Sequence, residues 1–354
     1  MLNQHTEIHS SLRTVEWKNN TVIMIDQTKL PNKLEYVKFK DYRKVAQAIK
    51  DLVIRGAPAI GVAGAFGLAL ASLQSKAKTK EKLLEDLEKA KKILFETRPT
   101  AVNLAWGLDK IMQVASNGNT VDEIKKTVVD TAQKMAVEDV EINMRMGKFG
   151  SELFANNDTI MTHCNAGALA TVGYGTALGV IRATRDSGKS IKVIATETRP
   201  VMQGSRLTAF ELKHDNIDVS LIPDTAVGYA MSKGMVNKVV VGADRILSTG
   251  HVYNKIGTYQ VATMAKQHNI PFYVAAPLST FDLNSKPDDI IIEQRKASEV
   301  TGVAGKKTAP DGINVINPAF DMTPPELITG IITEVGVAKP PFVESIRKLF
   351  ESKL

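Results

Sequence analysis

The chain has 354 residues, of which 44% are hydrophobic and 23% charged, with a formal net charge of +7 and a single cysteine, Cys164. A chain of this size and composition can bury a large core and has room for two domains. One cysteine excludes an intramolecular disulfide and a cysteine cluster for zinc, which predicts a reducing, cytoplasmic environment.

The first 154 residues combine short alternating segments with long helical patterns. Alternation over 12–18, 21–26 and 34–40 predicts a small antiparallel sheet with turns at Asn19-Asn20 and Pro31-Asn32. Helical spacing of apolar residues follows over 41–52, 60–73, 80–96, 101–114 and 121–154. We therefore expect an N-terminal small-sheet and helical domain over 1–120 and a connecting helix over 121–154.

The remainder, residues 155–354, repeats a strand, loop and helix pattern. Apolar β-branched runs occur at 159–163, 191–196, 217–222, 238–243 and 271–276. Near-continuous apolar strands that alternate with helices are typical of a parallel sheet covered on both faces. The fold class predicted is α/β, with the parallel sheet in the second domain.

Charge and apolar patterning argue against nucleic acid and membrane partners. Lysines and arginines are mixed with acidic residues, as in KAKTKEKLLEDLEKAKK at 76–92, and only 6% of residues are aromatic. Nucleic-acid binding favours a basic stripe with stacking aromatics. The N-terminus lacks the apolar core of a signal peptide, and the apolar stretch 57–73 is rich in Ala and Gly. We expect this stretch to be a tightly packed core helix.

Polar residues follow several of the predicted parallel strands. They are His163-Cys164-Asn165, Glu197-Thr198-Arg199, Pro223-Asp224-Thr225 and Asp244-Arg245. Ligands of parallel sheets bind beyond the carboxyl ends of the strands, so these residues predict a site there. Simpler interpretations exist: Asp224 caps the helix that starts near Thr225, His163 is a satisfied, partly buried histidine, and Cys164 is an inert core thiol.

A dinucleotide site is the main rival interpretation of the glycines after Cys164. Gly173-Tyr174-Gly175 and Gly179 imitate the dinucleotide fingerprint, and Glu197 ends the next strand. That fingerprint needs its first glycine directly at the strand end, whereas here the glycines begin nine residues after Cys164. We therefore expect these glycines to lie inside a helix and expect no dinucleotide cofactor.

Six separated motifs resemble one known family over nearly the whole chain. They are RGAPAIGVAGAFGLALA (55–71), TRPTAVNLAWGLDKI (97–111), THCNAGALATVGYGTALGVIRA (162–183), ETRPVMQGSRLTAFEL (197–212), VGADRI (241–246) and NKIGTYQVA (254–262). Their order and content resemble the methylthioribose-1-phosphate isomerases. The resemblance implies an aldose–ketose isomerase of methionine salvage that converts 5-methylthioribose 1-phosphate into 5-methylthioribulose 1-phosphate without a cofactor. It also implies a Rossmann-like αβα catalytic domain over 155–354 and a homodimer.

The same resemblance assigns site residues, motif by motif. It implies that Cys164 and Asp244 are catalytic, with Asp244 as the proton donor. It implies substrate binding by a further set of residues, which are Arg55, Gly56, Ala57, Arg98, Gln203, Asn254 and Lys255. The chain departs from the family at His251 and Tyr253, which concerns the rim of the site. No His or carboxylate cluster has the spacing of metal ligands, so no metal is expected.

The reaction explains these residue types. Arginine binds phosphate oxygens bidentately, and a glutamine can both donate to and accept from sugar hydroxyls. Phosphate blocks the anomeric carbon, so ring opening needs a proton on the ring oxygen. We expect apolar neighbours to raise the pKa of Asp244 for this purpose, with Arg245 turned away. Hydrogen then moves from C2 to C1, either as a proton with Cys164 as the base or as a hydride that Cys164 assists.

Two further classes fit the same motifs. A related enzyme isomerises ribose 1,5-bisphosphate with the same catalytic pair, and turnover of the two sugars separates them. The regulatory subunits of the eukaryotic translation initiation exchange factor share the fold as non-catalytic binding modules. The presence of both Cys164 and Asp244 argues for an enzyme.

Overall fold

The computed structural model describes residues 12–99, 101–303 and 305–352, which belong to two structural units. Unit 1 extends to Asn143 and includes Gly167–Gly175. Unit 2 comprises Met144–Ala166 and the chain from Thr176 onward. The division falls inside the long helix that the sequence predicts over 121–154, rather than at either of its ends.

Unit 1 contains a three-stranded antiparallel sheet followed by helices. Lys18 pairs with Thr21 across the predicted turn, where Asn19 and Asn20 have φ values of 50° and 54°. The predicted strands and helices of this region are confirmed. Their bounds are β1 (Val15–Lys18), β2 (Thr21–Ile25), β3 (Tyr36–Phe39), α1 (Tyr42–Lys50), α2 (Ala57–Gln74), α3 (Lys80–Phe95), α4 (Val102–Asn117) and α5 (Val121–Ser151).

Helix α2 forms the centre of unit 1. It is long and apolar enough to cross a membrane, but 78% of it is buried, and it packs against α1, α3 and α4. This confirms the predicted core helix. A Cβ on Gly61 would lie 2.7 Å from the carbonyl oxygen of Asn103, and one on Gly107 would lie 2.5 Å from that of Gly61. A Cβ on Gly64 would lie 2.6 Å from a methyl carbon of Leu104, so small residues of α2 allow the close approach of α4.

Unit 2 contains a seven-stranded sheet in the order β16-β15-β10-β7-β4-β5-β6. Every neighbouring pair is parallel except β15 and β16. The fold is therefore mixed α/β, with a sheet that is mainly parallel. Its elements are β4 (Thr159–Thr162), α6 (Ala177–Asp186), β5 (Lys192–Thr196), α7 (Ala209–His214), β6 (Asp218–Ile222), α8 (Val227–Ser232), β7 (Lys238–Val241), β8 (Arg245–Leu247), β9 (Val252–Lys255), α9 (Thr258–Gln267), β10 (Phe272–Ala275), β11 (Phe281–Asp282), α10 (Ser298–Thr301), β12 (Gly302–Val303), β13 (Lys306–Lys307), β14 (Phe320–Thr323), β15 (Gly330–Thr333), β16 (Gly336–Ala338) and α11 (Phe342–Glu351).

The five parallel strands predicted from the sequence are confirmed as β4, β5, β6, β7 and β10. Strands β10 and β15 are buried at every residue, as expected for strands covered on both faces. The sequence patterns missed β15, β16 and a second sheet in the order β11-β8-β9-β14. The missed strands are short and lie in hairpins or after irregular chain, outside the strand–helix alternation that marked the others.

The prediction that the glycines after Cys164 lie inside a helix is wrong for two of them. Gly173 and Gly175 precede α6, and only Gly179 lies within it. Gly175 has a φ of 88° and forms a bridge with Gly167, so the backbone cannot be helical there. The helix begins only at Ala177.

Candidate active site

Cys164 lies two residues beyond the carboxyl end of β4 and is half-buried, so it does not lie in the core. Its φ of 63° places it in the left-handed region, which costs a non-glycine residue about 1–2 kcal/mol. Two threonines hold it there. The Cys164 amide donates to Thr198 Oγ1 (2.9 Å), and the Cys164 carbonyl accepts from Thr208 Oγ1 (2.5 Å).

His163 is buried, and both of its ring nitrogens have hydrogen-bond partners. Nδ1 lies 2.6 Å from Thr196 Oγ1, and Nε2 lies 2.8 Å from the carbonyl oxygen of Ile256. Burial lowers the pKa of His163, which keeps the imidazole neutral. The interpretation of His163 as a satisfied histidine is confirmed. With both nitrogens engaged, it is not placed to act as a base for the Cys164 thiol.

The residue after Cys164 is anchored on a buried ionic cluster. Asn165 Nδ2 donates to Glu211 Oε1 (2.9 Å). The fully buried Arg182 guanidinium pairs with Glu211 (2.8 Å) and Asp215 (2.6 Å). Sequence reasoning missed this cluster, although an arginine in the apolar stretch GVIRA was a signal of buried charge pairing.

Asp224 does not cap a helix. Its carboxylate accepts hydrogen bonds from the backbone amides of Thr198 (2.8 Å) and Arg199 (2.6 Å), and the interpretation as a helix cap is therefore wrong. The reason is tertiary, because the neighbouring strands β5 and β6 bring the turn after Thr196 beside Asp224. The carboxylate thus supports the turn that contains Thr198.

Asp244 follows β7, which is paired directly with β4. Cys164 and Asp244 therefore follow neighbouring strands, roughly 5 Å apart, at the carboxyl edge of the sheet. The Asp244 amide donates to the Tyr253 carbonyl (2.9 Å), so Asp244 lies beside the β8–β9 hairpin, where Arg245 pairs with Tyr253.

The expected burial of Asp244 is not found. The apolar strand residues end before it, and its side chain is exposed where the β8–β9 hairpin leaves the parallel sheet. Arg245 forms an ion pair with Asp282 (2.9 Å). Desolvation of the Asp244 carboxyl would have to come with the bound substrate.

Asn254 and Lys255 end β9. Asn254 is buried and donates to Thr258 Oγ1 (3.0 Å). The Lys255 ammonium donates to the Ala319 carbonyl (2.9 Å) and lies 4.6 Å from the centre of the Phe320 ring. These contacts fix the lysine stem while leaving further ammonium donors for an anion.

Asp321 holds the turn after Lys255. Its carboxylate accepts from the amides of Gly257 (2.7 Å) and Tyr259 (3.1 Å) at the start of α9. Desolvation raises the pKa of Asp321 to about 6, although these hydrogen bonds act in the opposite direction. Because Gly257 has no side chain, Asp321 supplies the helix cap from another strand. The sequence offered no local signal for this role.

Gln203 directly precedes a π-helical turn, Gly204–Thr208. Such turns are frequent at functional sites. The Gln203 side chain is 92% buried, and among the described residues its Oε1 atom has no hydrogen-bond partner. An unpartnered buried acceptor is costly, and a ligand hydroxyl would satisfy it.

The remaining predicted residues lie in unit 1. Arg55, Gly56 and Ala57 open α2, and Arg98 lies in the turn before α4. Each arginine thus lies just before a helix N-terminus, a position that suits an anion. Gly56 has a φ of 90°, and a Cβ there would lie 2.3 Å from the Ala170 carbonyl oxygen.

Comparison with known proteins identifies the family. The sequence model of the Initiation factor 2 subunit family matches residues 53–340. Methylthioribose-1-phosphate isomerase of Thermosipho africanus is 53% identical over 339 residues, covering 96% of this chain and 98% of that protein. The chain belongs to the methylthioribose-1-phosphate isomerase family.

Solved structures similar to this chain are described either as isomerases or as translation initiation factors. The 5-methylthioribose 1-phosphate isomerase of Pyrococcus horikoshii is 49% identical, with a TM-score of 0.93 and coverage of 97% of both chains. A structure described as translation initiation factor eIF-2B, subunit delta, from A. fulgidus is 50% identical, with a TM-score of 0.89 and coverage of 96% of this chain and all of that one. The fold alone therefore does not distinguish the isomerases from the initiation factors.

The two departures from the isomerase motifs have structural explanations. Tyr253 is buried and donates to the Pro287 carbonyl (3.1 Å); strand alternation points it away from the face of Asn254. His251 bonds to Thr249 in the hairpin turn (2.8 Å). Within residues 12–99, 101–303 and 305–352, no group of three His, Cys, Asp or Glu side chains is placed to hold a metal ion.

Proposed function

We propose that this chain is an aldose–ketose isomerase that converts 5-methylthioribose 1-phosphate into 5-methylthioribulose 1-phosphate in methionine salvage. Cys164 and Asp244 are the proposed catalytic pair. The observation that carries this assignment is their position at the carboxyl ends of the paired strands β4 and β7. Its support outside the structure is the 53% identity to an isomerase over nearly the whole chain.

The proposed substrate contacts follow from the charge and burial of each group. Arg55 and Arg98, beside two helix N-termini, are the proposed phosphate ligands, and Gly56 and Ala57 add backbone amides. In unit 2, Lys255 contributes positive charge. Gln203 offers an unpartnered acceptor to a sugar hydroxyl, and Asn254 lies on β9, in the hairpin that follows Asp244.

Ring opening is assigned to Asp244. Its carboxylic acid donates a proton to the ring oxygen as the bond from that oxygen to C1 breaks. Because Asp244 is exposed in the structure, bound substrate must exclude water around the transferred proton. Asp244→Asn would keep the shape of the side chain and lose the proton. We expect turnover to fall about 100-fold or more with little change in substrate affinity.

Cys164 is assigned to the hydrogen transfer from C2 to C1, for which two routes remain. In one, the Cys164 thiolate removes the C2 proton, an enol phosphate forms, the proton is returned to C1, and the C2 hydroxyl becomes the ketone by giving its proton to the Asp244 carboxylate. In the other, hydrogen moves directly from C2 to C1 with its electron pair, and Cys164 assists. Substrate carrying deuterium at C2 separates the routes, because loss of the label to water requires the proton route.

The decisive experiment measures turnover of 5-methylthioribose 1-phosphate and of ribose 1,5-bisphosphate by the parent chain, Cys164→Ala and Asp244→Asn. We expect the parent to turn over the first sugar and not the second, and both variants to turn over the first sugar at about one hundredth of the parent rate or less. The matched control is Asp218→Asn, which changes an exposed aspartate on β6. Turnover of Asp244→Asn near the parent rate would contradict the assignment.

A second candidate is a non-catalytic binding module. The observation in its favour is the 50% identity to a structure described as an eIF-2B subunit. Complete inactivity of the folded parent chain toward both sugars would support it. Iodoacetamide labelling of Cys164, with protection by the sugar phosphate, gives an independent readout that a protein-binding module would not show.

We also propose that the protein is a homodimer located in the cytoplasm. Its parallel-sheet unit is proposed to be Rossmann-like. Exposed apolar side chains on and near edge strand β6 support an association surface: Leu221, Tyr229 and Met235 are 47%, 63% and 46% exposed. Light scattering coupled to size-exclusion chromatography tests the dimer, and a monomer at micromolar concentration would contradict it.

A further inference from the structure

A chain of hydrogen bonds crosses unit 2 from the turn after Lys255 to the amide of Cys164. The Ile256 carbonyl lies 2.8 Å from His163 Nε2, and His163 Nδ1 lies 2.6 Å from Thr196 Oγ1. Thr196 Oγ1 lies 3.2 Å from Thr198 Oγ1, which accepts from the Cys164 amide at 2.9 Å. Three of the linking side chains, those of His163, Thr196 and Thr198, are at most 2% exposed.

The two ends of this chain determine where its protons lie. A carbonyl oxygen only accepts, so His163 carries its proton on Nε2, and the bare Nδ1 accepts from the Thr196 hydroxyl. Thr196 Oγ1 is then available as an acceptor for the Thr198 hydroxyl. The Cys164 amide can only donate. Each link can thus be assigned one donor and one acceptor, and the Thr198 hydroxyl has a second acceptor within reach, the Thr196 carbonyl at 3.3 Å.

Two strained residues meet within this chain. Cys164 and Thr198 both have a φ of 63°, and a β-branched residue rarely adopts that conformation. The surroundings must hold both. Asp224 accepts from the amide of Thr198, and Thr198 in turn accepts from the amide of Cys164. Packing alone does not require Cys164 or Thr198 to adopt the left-handed conformation.

We infer that His163, Thr196 and Thr198 are positioning residues for the isomerisation, which set the Cys164 turn against the turn that follows Asn254 and Lys255. The inference rests on the proposed function for its catalytic consequence. Its geometric content, that Thr198 determines where the thiol lies, can be tested without any substrate.

The test uses pairs of variants that differ by one hydroxyl. Thr198→Val removes the acceptor for the Cys164 amide at nearly constant shape, and Thr198→Ser restores it. Thr196→Val breaks the chain one link further away. The matched control is Thr184→Val on α6, a fully buried threonine whose hydroxyl donates to the Val180 carbonyl (2.8 Å). Circular dichroism melts establish that each variant is folded.

The first readout is the rate of Cys164 alkylation by iodoacetamide without substrate. We expect Thr198→Val to raise it about threefold or more, as the turn relaxes and exposes the thiol. Thr198→Ser and Thr184→Val should stay near the parent rate. An unchanged rate in folded Thr198→Val would overturn the inference. If Thr198→Val does not fold, the alkylation rate of Cys164 in Thr196→Val provides the same test.

The second readout is whether each variant changes kcat or KM. Misplacing the thiol should lower kcat about 10- to 100-fold in Thr198→Val and Thr196→Val, with KM within about threefold of the parent value. A purely structural role would instead lower stability in all three valine variants and leave kcat of the folded protein unchanged. If the parent chain has no isomerase activity, the proposed function fails while the alkylation readout still decides the positioning role.

Discussion

Asp139 on α5 allows a pH-dependent prediction. Its carboxylate accepts from the Val172 amide (2.8 Å) and from Asn143 Nδ2 (3.3 Å), and so fastens the Gly167–Gly175 segment within unit 1. Desolvation raises the pKa of Asp139 to about 7, against the opposing effects of those hydrogen bonds and of Arg13. Replacing Asp139 by Asn removes the titration and keeps an oxygen that accepts from Val172.

The sign of the effect follows from proton binding. Between about pH 4 and pH 7 the folded state binds more protons at Asp139 than the unfolded state. The stabilising contribution is therefore complete below the unfolded pKa of 3.8 and is lost as the pH rises through about 7. This difference in pKa corresponds to roughly 4 kcal/mol, and partial exposure of the residue reduces the expected effect to about 2–3 kcal/mol.

The assay is urea denaturation followed by circular dichroism at several pH values from 4.5 to 8. We expect Asp139→Asn to match the parent near pH 4.5 and to exceed its free energy of unfolding by about 2–3 kcal/mol at pH 8. Glu141→Gln, an exposed carboxylate on the same helix, is the control and should show no such trend. The reasoning would be refuted if the free energies of unfolding of Asp139→Asn and the parent differed by the same amount at pH 4.5 and pH 8.

Three further predictions concern stability and substrate affinity. Arg182→Met leaves two buried carboxylates uncompensated and should lower the free energy of unfolding by about 3–5 kcal/mol in the same urea assay. The control is Lys89→Met, which removes an exposed ion pair and should lower it by less than about 1 kcal/mol. Gly56→Ala forces a Cβ against the Ala170 backbone at a φ of 90° and should cost about 2 kcal/mol or more, with a lower Tm; an unchanged Tm would show that the turn relaxes freely. Arg55→Lys replaces a planar fork by a point charge and should raise KM about 5- to 10-fold at nearly constant kcat, and unchanged kinetics would remove Arg55 from the phosphate site.

Local pattern and motif order determined much of this protein. Alternating and helical spacing predicted the small sheet, the long helices and five of the parallel strands, because each pattern lies within one continuous segment. The strand-end rule selected His163, Cys164 and Asp244 as polar residues at one edge of the sheet. Six ordered motifs were sufficient to indicate the isomerase family, which the comparisons then established.

Tertiary structure alone decided how the polar groups are satisfied. His163 bonds to a carbonyl 93 residues away, Asp224 supports the turn of Thr198 instead of a helix, and Asp321 caps a helix that begins 63 residues earlier. The hairpin whose Tyr253 carbonyl accepts from the Asp244 amide consists of strands of three and four residues. The strands of this hairpin lie outside the strand–helix alternation that marked the parallel strands. The partner of a buried donor or acceptor depends on which distant segment packs against it, and no local sequence pattern contains that information.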